Sequence, residues 1–424
     1  MDSQDQRWAL GLTLVFVALG MISAIVVPRG LPYDEPSHFY VLRYHSELRG
    51  LPIVQGPGLS YEACQPPLYY FLAGLVYRGV RGIAGPGNAF YACRLATLLV
   101  SCPLVYLTYK LAREFSGRRS PARWAAILVA VNPAMLAIVS SIQNDSLSFV
   151  FATLASYLCI RWCATRTLSA WRMVLLSLLT AAAIMCKSSA LSLIPFIALL
   201  VCFADWRRAI GRLTIMGAVL LLTTGWWFVR NHQLYGDWSG GKSVGSVFAA
   251  TGRFDPFSVH GWVWVGRSLV TYYTTPVTYW RDEVKNPRWF TALIGVGAIC
   301  VIAGFLLAAL RRRLPGCRRP SAICVGSCCV LFVVMSVALW LWISFRDFAV
   351  AARVAMPSLA ATMFLAGAAL DEVRSLAARW MRPIARFALP LLALVFLAAD
   401  AHLLYKASRL HHRPYEINIA EGLP

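Results

Sequence analysis

Charge is scarce in this sequence. Asp, Glu, Lys and Arg make up 14% of its 424 residues, where a soluble domain carries about 25%. Acidic residues are the scarcer sign, 19 against 40 Lys and Arg. With 58% hydrophobic residues and a mean hydropathy of +0.60, the composition excludes an ordinary soluble domain and points to a membrane. The net charge of +21 does not call for nucleic acid, because the basic residues lie between apolar segments and form no single patch; no nucleic-acid partner is expected. A cysteine framework is also missing. There are twelve cysteines, but nearly all fall in apolar runs, such as Cys159, Cys186, Cys300, Cys324, Cys328 and Cys329, and read as small apolar fillers. Walker A, GxGxxG and HExxH patterns are absent, so neither a nucleotide cradle nor a zincin helix is signalled. No internal repeat supports an inverted-repeat transporter.

What the sequence has in quantity is apolar runs. A membrane span needs about 20 apolar residues. Eleven candidates stand at approximately 8–27, 89–109, 124–142, 146–164, 171–186, 189–204, 212–229, 289–310, 321–345, 350–370 and 383–401. The fifth and sixth are short and meet at Lys187. The first is longer than the apolar part of a signal peptide and lacks a small-x-small cleavage site, so it reads as an uncleaved anchor. Placing the N-terminus inside puts "KLAREFSGRRSPAR", "RWCATRTLSAWR", "DWRRAIGR", "RRRLPGCRR" and "DEVRSLAARWMRPIAR" in inner loops. With Arg7 these hold 21 of the 40 basic residues, as the preference for positive inner loops requires. The expected architecture is an all-α polytopic membrane protein with about eleven transmembrane helices. Residues 1–405 form the membrane domain. Two long outward loops, about 28–88 and 230–288, carry interfacial helices and cap a site, and 406–424 is a short outward tail.

Polar groups converge on the outward face in this topology. "YDEPSHFY" supplies Asp34, Glu35 and His38; "CQPPLYYF" supplies Gln65, Tyr69 and Tyr70. "SSIQNDSLSF" brings Asn144 and Asp145, and "MCKSSAL" brings Lys187. "GWWFVRNHQLYGDW" adds Trp226, Arg230, Asn231 and Tyr235; Arg281, Arg346 and Arg353 follow. A carboxylate in a partly dry cleft can act as a base, because desolvation raises its pKa towards working pH. Lys and Arg at the same level can neutralise a phosphate. Ordinary roles compete with these: belt positions for Trp and Tyr, a hydrogen-bonded surface site for His38, loop charge for Arg281 and Arg346. Asp145 and Lys187 interrupt apolar sequence on both sides, which points to function or to a mutual ion pair.

The order of these pieces resembles the GT-C membrane glycosyltransferases, in particular the protein mannosyltransferase and aminoarabinose transferase (family 39-like) type. "YDEPSHF" is similar to that family's acidic pair, "QPPLYYFLAGLVY" to its PPLYY element, "QNDSLS" to its Asp at the start of span 4, and "CKSS" to its Lys after span 5. "WWFVRNHQLYGD" is similar to a W-x-x-RN…G segment of many bacterial members. The resemblance covers roughly residues 1–360. It implies a sugar donor linked to polyprenyl phosphate, used outside, with inversion at the anomeric carbon. Asp34 is then the expected base, with Glu35 and Asp145 catalytic beside it. Lys187, Arg230, Arg281, Arg346 and Arg353 are expected on the donor phosphate. His38, Gln65, Tyr69, Tyr70, Asn144, Trp226, Asn231 and Tyr235 are expected around the substrates. The acceptor is a glycan, lipid or protein, and the setting a bacterial inner membrane with the site facing the periplasm. The family's acidic-basic pair before PPLYY is replaced here by Cys64 and Gln65, so no metal is expected there; a divalent cation elsewhere is possible but not signalled. A folded C-terminal domain found in the aminoarabinose branch has no counterpart before the sequence ends. The rival readings are a lipid or saccharide flippase, an O-antigen ligase or polymerase, and a non-catalytic assembly protein.

Overall fold

The computed structural model describes residues 3–32, 34–55, 59–247, 253–274, 320–346, 352–375 and 387–409, with isolated positions between 289 and 299. The expected span at 289–310 and Arg281 therefore fall largely or wholly outside the described residues. The described chain is helical and contains no strand. Its helices are α1 Ser3–Val26, α2 Glu35–Ser46, α3 Leu68–Ser101, α4 Pro103–Ser116, α5 Arg119–Ala130, α6 Pro133–Val139, α7 Asp145–Ala164 and α8 Ala170–Cys186. They continue as α9 Leu193–Ala204, α10 Trp206–Tyr235, α11 Gly241–Val247, α12 Val259–Thr274, α13 Pro320–Arg346, α14 Leu359–Ser375 and α15 Ala388–Ser408. Short 3-10 turns cover Leu59–Cys64, Ser188–Ser192 and Ala352–Ser358.

Seven helical segments among the described residues are long and apolar enough to cross a membrane, or eight if α5 and α6 count as one bent span. The chain is thus an integral membrane protein. α8 and the stretch 188–204 are apolar but shorter than a full span. Breaks follow local chemistry. Asn132 and Pro133 separate α5 from α6 at a 56° bend, and the Asn132 side chain accepts from the N–H groups of Ala134 and Met135. The outward loop expected at about 28–88 is helical from Leu68 onward; Gly85, at φ 82°, and Pro86 break that helix where the loop was expected to end.

Small residues set the packing. Gly367 of α14 lies so close to α5 that a Cβ there would stand 2.8 Å from both Ala125 N and Pro121 O. In hydrocarbon, with little hydrophobic drive between helices, close backbone approach of this kind is what holds them together.

The charges sort to two ends. At one, Asp5 accepts from Tyr109 at 2.9 Å and pairs with Arg113 at 2.7 Å and Arg119 at 3.0 Å, while Asp371 pairs with Arg118 at 2.6 Å and Arg374 at 2.9 Å. The arginines and Asp371 belong to the basic segments expected in inner loops. At the other end of α1, roughly 30 Å away at 1.5 Å per residue, lie the carboxylates of the "YDEPSHFY" segment.

Candidate active site

The site is built where helices start and stop. Asp34 caps α2 in the left-handed region, at φ 63° and ψ −6°, and Pro36 sets the first turn. Such a conformation costs a non-glycine residue of the order of 1–3 kcal/mol and marks places where function fixes the backbone. Asp145 opens α7, where the helix dipole favours its charge. Lys187 ends α8 by leaving helical geometry, at φ −152°. Arg353 stands in the Ala352–Ser358 turn ahead of α14.

These four side chains meet in the interior. Asp34 is 3% exposed, Asp145 0%, Lys187 6% and Arg353 6%. Arg353 donates to Asp34 Oδ2, and Tyr61 donates its hydroxyl to Asp34 Oδ1. The other arm of Arg353 reaches Gln143 Oε1 at 3.3 Å and lies 3.8 Å from Asp145. Lys187 Nζ donates to Asp145 Oδ2 at 2.6 Å, while Asp145 Oδ1 has no partner. Asn144, fully buried beside it, leaves both its side-chain oxygen and nitrogen unpaired. Buried polar atoms without partners are rare, so an unfilled set at this point has the character of a binding surface.

His38 and Tyr70 share a hydrogen bond of 2.7 Å, and His38 Nδ1 lies 3.9 Å from Glu62 Oε2. Burial, aided by the charge on Lys187, holds the His38 imidazole well below its ordinary pKa, so the ring is neutral. Burial also pushes Glu62 up to about 7; Lys187 opposes the rise and Asp145 adds to it. Asp34, His38 and Glu62 each present one donor atom, all within 4.8 Å of one another.

Next to the cluster opens a pocket of about 220 Å³, lined on its polar side by Gln65, Lys187, Ser188, Ser189, Ser239 and Arg346, and on its apolar side by Leu191, Leu339, Trp342, Ile343 and Val354. Arg346 is held by Asp237, at 3.0 and 3.2 Å from its two oxygens, and contacts Ser239 Oγ at 3.2 Å. Gly240 lets this loop sit against the Leu59–Cys64 turn: it has φ 72°, and a Cβ on it would come within 2.6 Å of Cys64 Cβ.

Other expected site residues lie elsewhere. Glu35 is taken up by structure. Arg94 grips it with two hydrogen bonds, 2.8 and 2.6 Å, and the N–H groups of Gly30 and Ile142 donate to it at 2.9 and 3.0 Å. Arg94 also donates to the carbonyls of Ala24, Val27 and Pro28. This pair fastens α3 to the exit of α1 and has no oxygen left for a substrate. Arg230 lies over the Trp227 ring at 4.7 Å and donates to the carbonyls of Pro52 and Leu51. Asn231 donates to Cys64 O at 3.1 Å, and Tyr235 accepts from Val54 N at 3.1 Å. These three brace the first loop against α10. Tyr69 is hydrogen-bonded to Thr97 at 2.8 Å, and Trp226 is 46% exposed on the outer side of α10. Tyr61, Glu62, Gln143, Asp237 and Arg94 are further residues that the fold brings to these contacts. Arg94 had a visible signal, a lone arginine inside an apolar run; Tyr61 and Glu62 had only their position just before "CQPPLYY".

Residues 65–227 match the family model described as dolichyl-phosphate-mannose-protein mannosyltransferase. The chain is similar in structure to ArnT from Cupriavidus metallidurans bound to undecaprenyl phosphate. That match has a TM-score of 0.60 at 13% identity and covers 95% of this chain and 77% of ArnT. The fold is GT-C. It is shared with the oligosaccharyltransferase of Archaeoglobus fulgidus in its apo form, at a TM-score of 0.54 and 14% identity, over 96% of this chain and 57% of that one. Among curated proteins none matches the sequence. The stretch matched by the family model holds three helix ends that matter to the site, the start of α3, the start of α7 and the end of α8, together with the body of α10. Asp34, Arg346 and Arg353 lie outside it and join the cluster only through the fold.

Proposed function

We propose that this protein is a membrane glycosyltransferase that moves a sugar from a polyprenyl-phosphate donor to a hydroxyl acceptor at the outward face of a bacterial inner membrane. What carries the reading is the pairing of a buried carboxylate cluster, Asp34 and Asp145, with a pocket that has Lys187 and Arg346 on one wall and apolar side chains on the other. An amphipathic pocket of that kind suits a phosphate joined to a hydrocarbon chain.

In this reading Lys187 and Arg346 hold the donor phosphate. Asp34 receives the acceptor's hydroxyl proton as the acceptor oxygen attacks the anomeric carbon. The bond from that carbon to the phosphate oxygen breaks, its electron pair leaves with the polyprenyl phosphate, and one displacement inverts the centre. Tyr61 and Arg353 occupy two of the four lone-pair directions of the Asp34 carboxylate and leave two for an acceptor. Arg353, lying between Asp34 and Asp145, holds both carboxylates in place. Charge neutralisation is the main help a departing phosphate needs. Asn144 and Asp145 Oδ1, unpaired and buried, are the groups to hold the sugar hydroxyls.

The test is transfer from a panel of radiolabelled polyprenyl-phosphate sugars in membranes. Wild type should release polyprenyl phosphate from at least one of them. Asp34→Asn should lose at least about 100-fold, the lower end of what a positioned base contributes, and Lys187→Ala should raise KM as well as slow turnover. Near-wild-type rates in Asp34→Asn remove the base assignment. No turnover by folded wild type across the panel, together with headgroup flipping in vesicles, favours a flippase.

A further inference from the structure

Helix α12, Val259–Thr274, has three sides. One side is covered. Trp264, Val265 and Leu269 cluster with Phe254, with Val337, Trp340 and Leu341 of α13, and with Ala352, Val354 and Ala355 of the turn that bears Arg353. The rings of Trp264 and Trp340 stand 5.5 Å apart, and Phe254 N donates to Ser344 O at 3.0 Å. The second side carries Val259, Trp262, Val263 and Gly266, all exposed, the first three at 82%, 52% and 44%. At about 100° per residue these positions form a stripe about 100° wide. Phe257, just ahead of the helix, is 96% exposed. The third side holds His260 and Arg267, also exposed, within about 60° of the edge of the stripe.

The covered side fixes the depth of the helix. Its partners on α13, from Val337 to Ser344, lie in about the last three turns of Ser327–Arg346, a segment long and apolar enough to cross a membrane. α12 is thus held level with the outward end of a span, and a face turned away from protein at that level meets lipid. We propose that α12 lies in the outward leaflet, with Phe257, Val259, Trp262 and Val263 against acyl chains and with Arg267 and His260 at anionic headgroups. An exposed apolar stripe is unfavourable in water by about 25 cal/mol per Å². Apolar and Trp side chains on one side, with cations on the next, are what a helix lying in a membrane surface presents. The charge balance suits an anionic leaflet: from Arg253 to Leu269 there are two arginines, Arg253 and Arg267, against one acid, Asp255. Asp255 Oδ1 already accepts from Phe257 N at 2.9 Å. The contacts that set the depth also reach the Ala352–Ser358 turn, so the leaflet supports the element that brings Arg353 to Asp34.

This inference stands apart from sugar transfer, and its test does not need turnover. The photoreactive residue p-benzoylphenylalanine replaces Val259 or Trp262 in the full-length protein, which is placed in nanodiscs of phosphatidylcholine mixed with phosphatidylglycerol and irradiated. The mass of the product identifies what was captured. The same residue at Leu222, 80% exposed on the α10 span, is the lipid-facing control. Both α12 positions should give phospholipid adducts at a yield comparable to that at Leu222. Phosphatidylglycerol should exceed its bilayer share among those adducts by about fivefold, the worth of one cation near a lipid surface, and Arg267→Gln should return it to that share. Irradiation in native membranes should again capture lipid. If the bulky residue at Trp262 disturbs folding, Val259 alone decides. Capture of a polypeptide, or no adduct on α12 while Leu222 labels, would overturn the lipid seat. Adducts in proportion to bilayer composition would overturn the anionic preference.

Discussion

Neighbouring carboxylates in this chain have been given opposite tasks by their surroundings. Asp34 and Glu35 are adjacent, yet Glu35 spends every oxygen on Arg94 and two backbone N–H groups, while Asp34 faces a cluster with unpaired atoms around it. Breaking a buried ion pair from one side strands the other charge, at about 3–5 kcal/mol. Glu35→Gln, which strands Arg94, should therefore lower the unfolding midpoint in detergent sharply, whereas Asp34→Asn leaves Arg353 with Asp145 at 3.8 Å and should lower the midpoint less while losing turnover. A pair of melting curves checks both. His45 gives a pH prediction. It is buried, and burial, with the charge of Arg230, lowers its pKa from 6.5. The unfolded chain then binds more protons than the native one as pH falls below about 6.5, so native stability drops on acidification and is intact above that pH. His45→Gln should flatten the part of the pH–midpoint curve that lies below 6.5; an unchanged slope would assign the acid sensitivity elsewhere.

Among elements, the contact between α5 and α14 governs how the Arg353 turn is presented, because α14 follows that turn directly. Gly367 permits the contact, with Pro121 O and Ala125 N at 2.8 Å from where a Cβ would stand. Both near atoms are backbone and have little room to give. Gly367→Val should cost about 1–3 kcal/mol through overpacking and, by shifting α14, should weaken transfer beyond its effect on folding. Comparison of turnover per folded molecule, with folded protein measured by size exclusion, separates the two. A substitution on an exposed part of the surface, such as Leu222→Ala on α10, which is 80% exposed, should change neither.

For the molecule as a whole, the question is which end faces out. Asp5, Asp371 and their arginines mark one end, and Asp34, Asp145, Lys187 and Arg353 the other. The positive-inside preference puts the first end in the cytoplasm. A membrane-impermeant maleimide added to intact cells should label Arg49→Cys, in the loop that follows α2, and leave Arg208→Cys, in a loop expected inside, unlabelled until the membrane is opened. Both positions are well exposed, at 65% and 78% of the side chain. The reverse pattern would invert the topology and with it the face on which the chemistry is proposed.

Membrane residence, the helical class and the sorting of basic loops to one end were all set by composition and run length. Each is a local quantity, the transfer of apolar segments into lipid or the position of a charge relative to a span. The prominent site candidates were visible for the same reason: Asp145 and Lys187 break apolar runs, and an ion in such a place needs a partner. Partnership itself was not local. Nothing in "YDEPSHFY" says that Glu35 will find Arg94 while Asp34 finds Arg353, 319 residues on. Nor does "LSYEAC" announce that Tyr61 and Glu62 turn inward to join His38. Helix packing decided those pairings, because only the packed bundle fixes which buried charge lies within reach of which other, and a buried charge settles with whatever the fold brings to it.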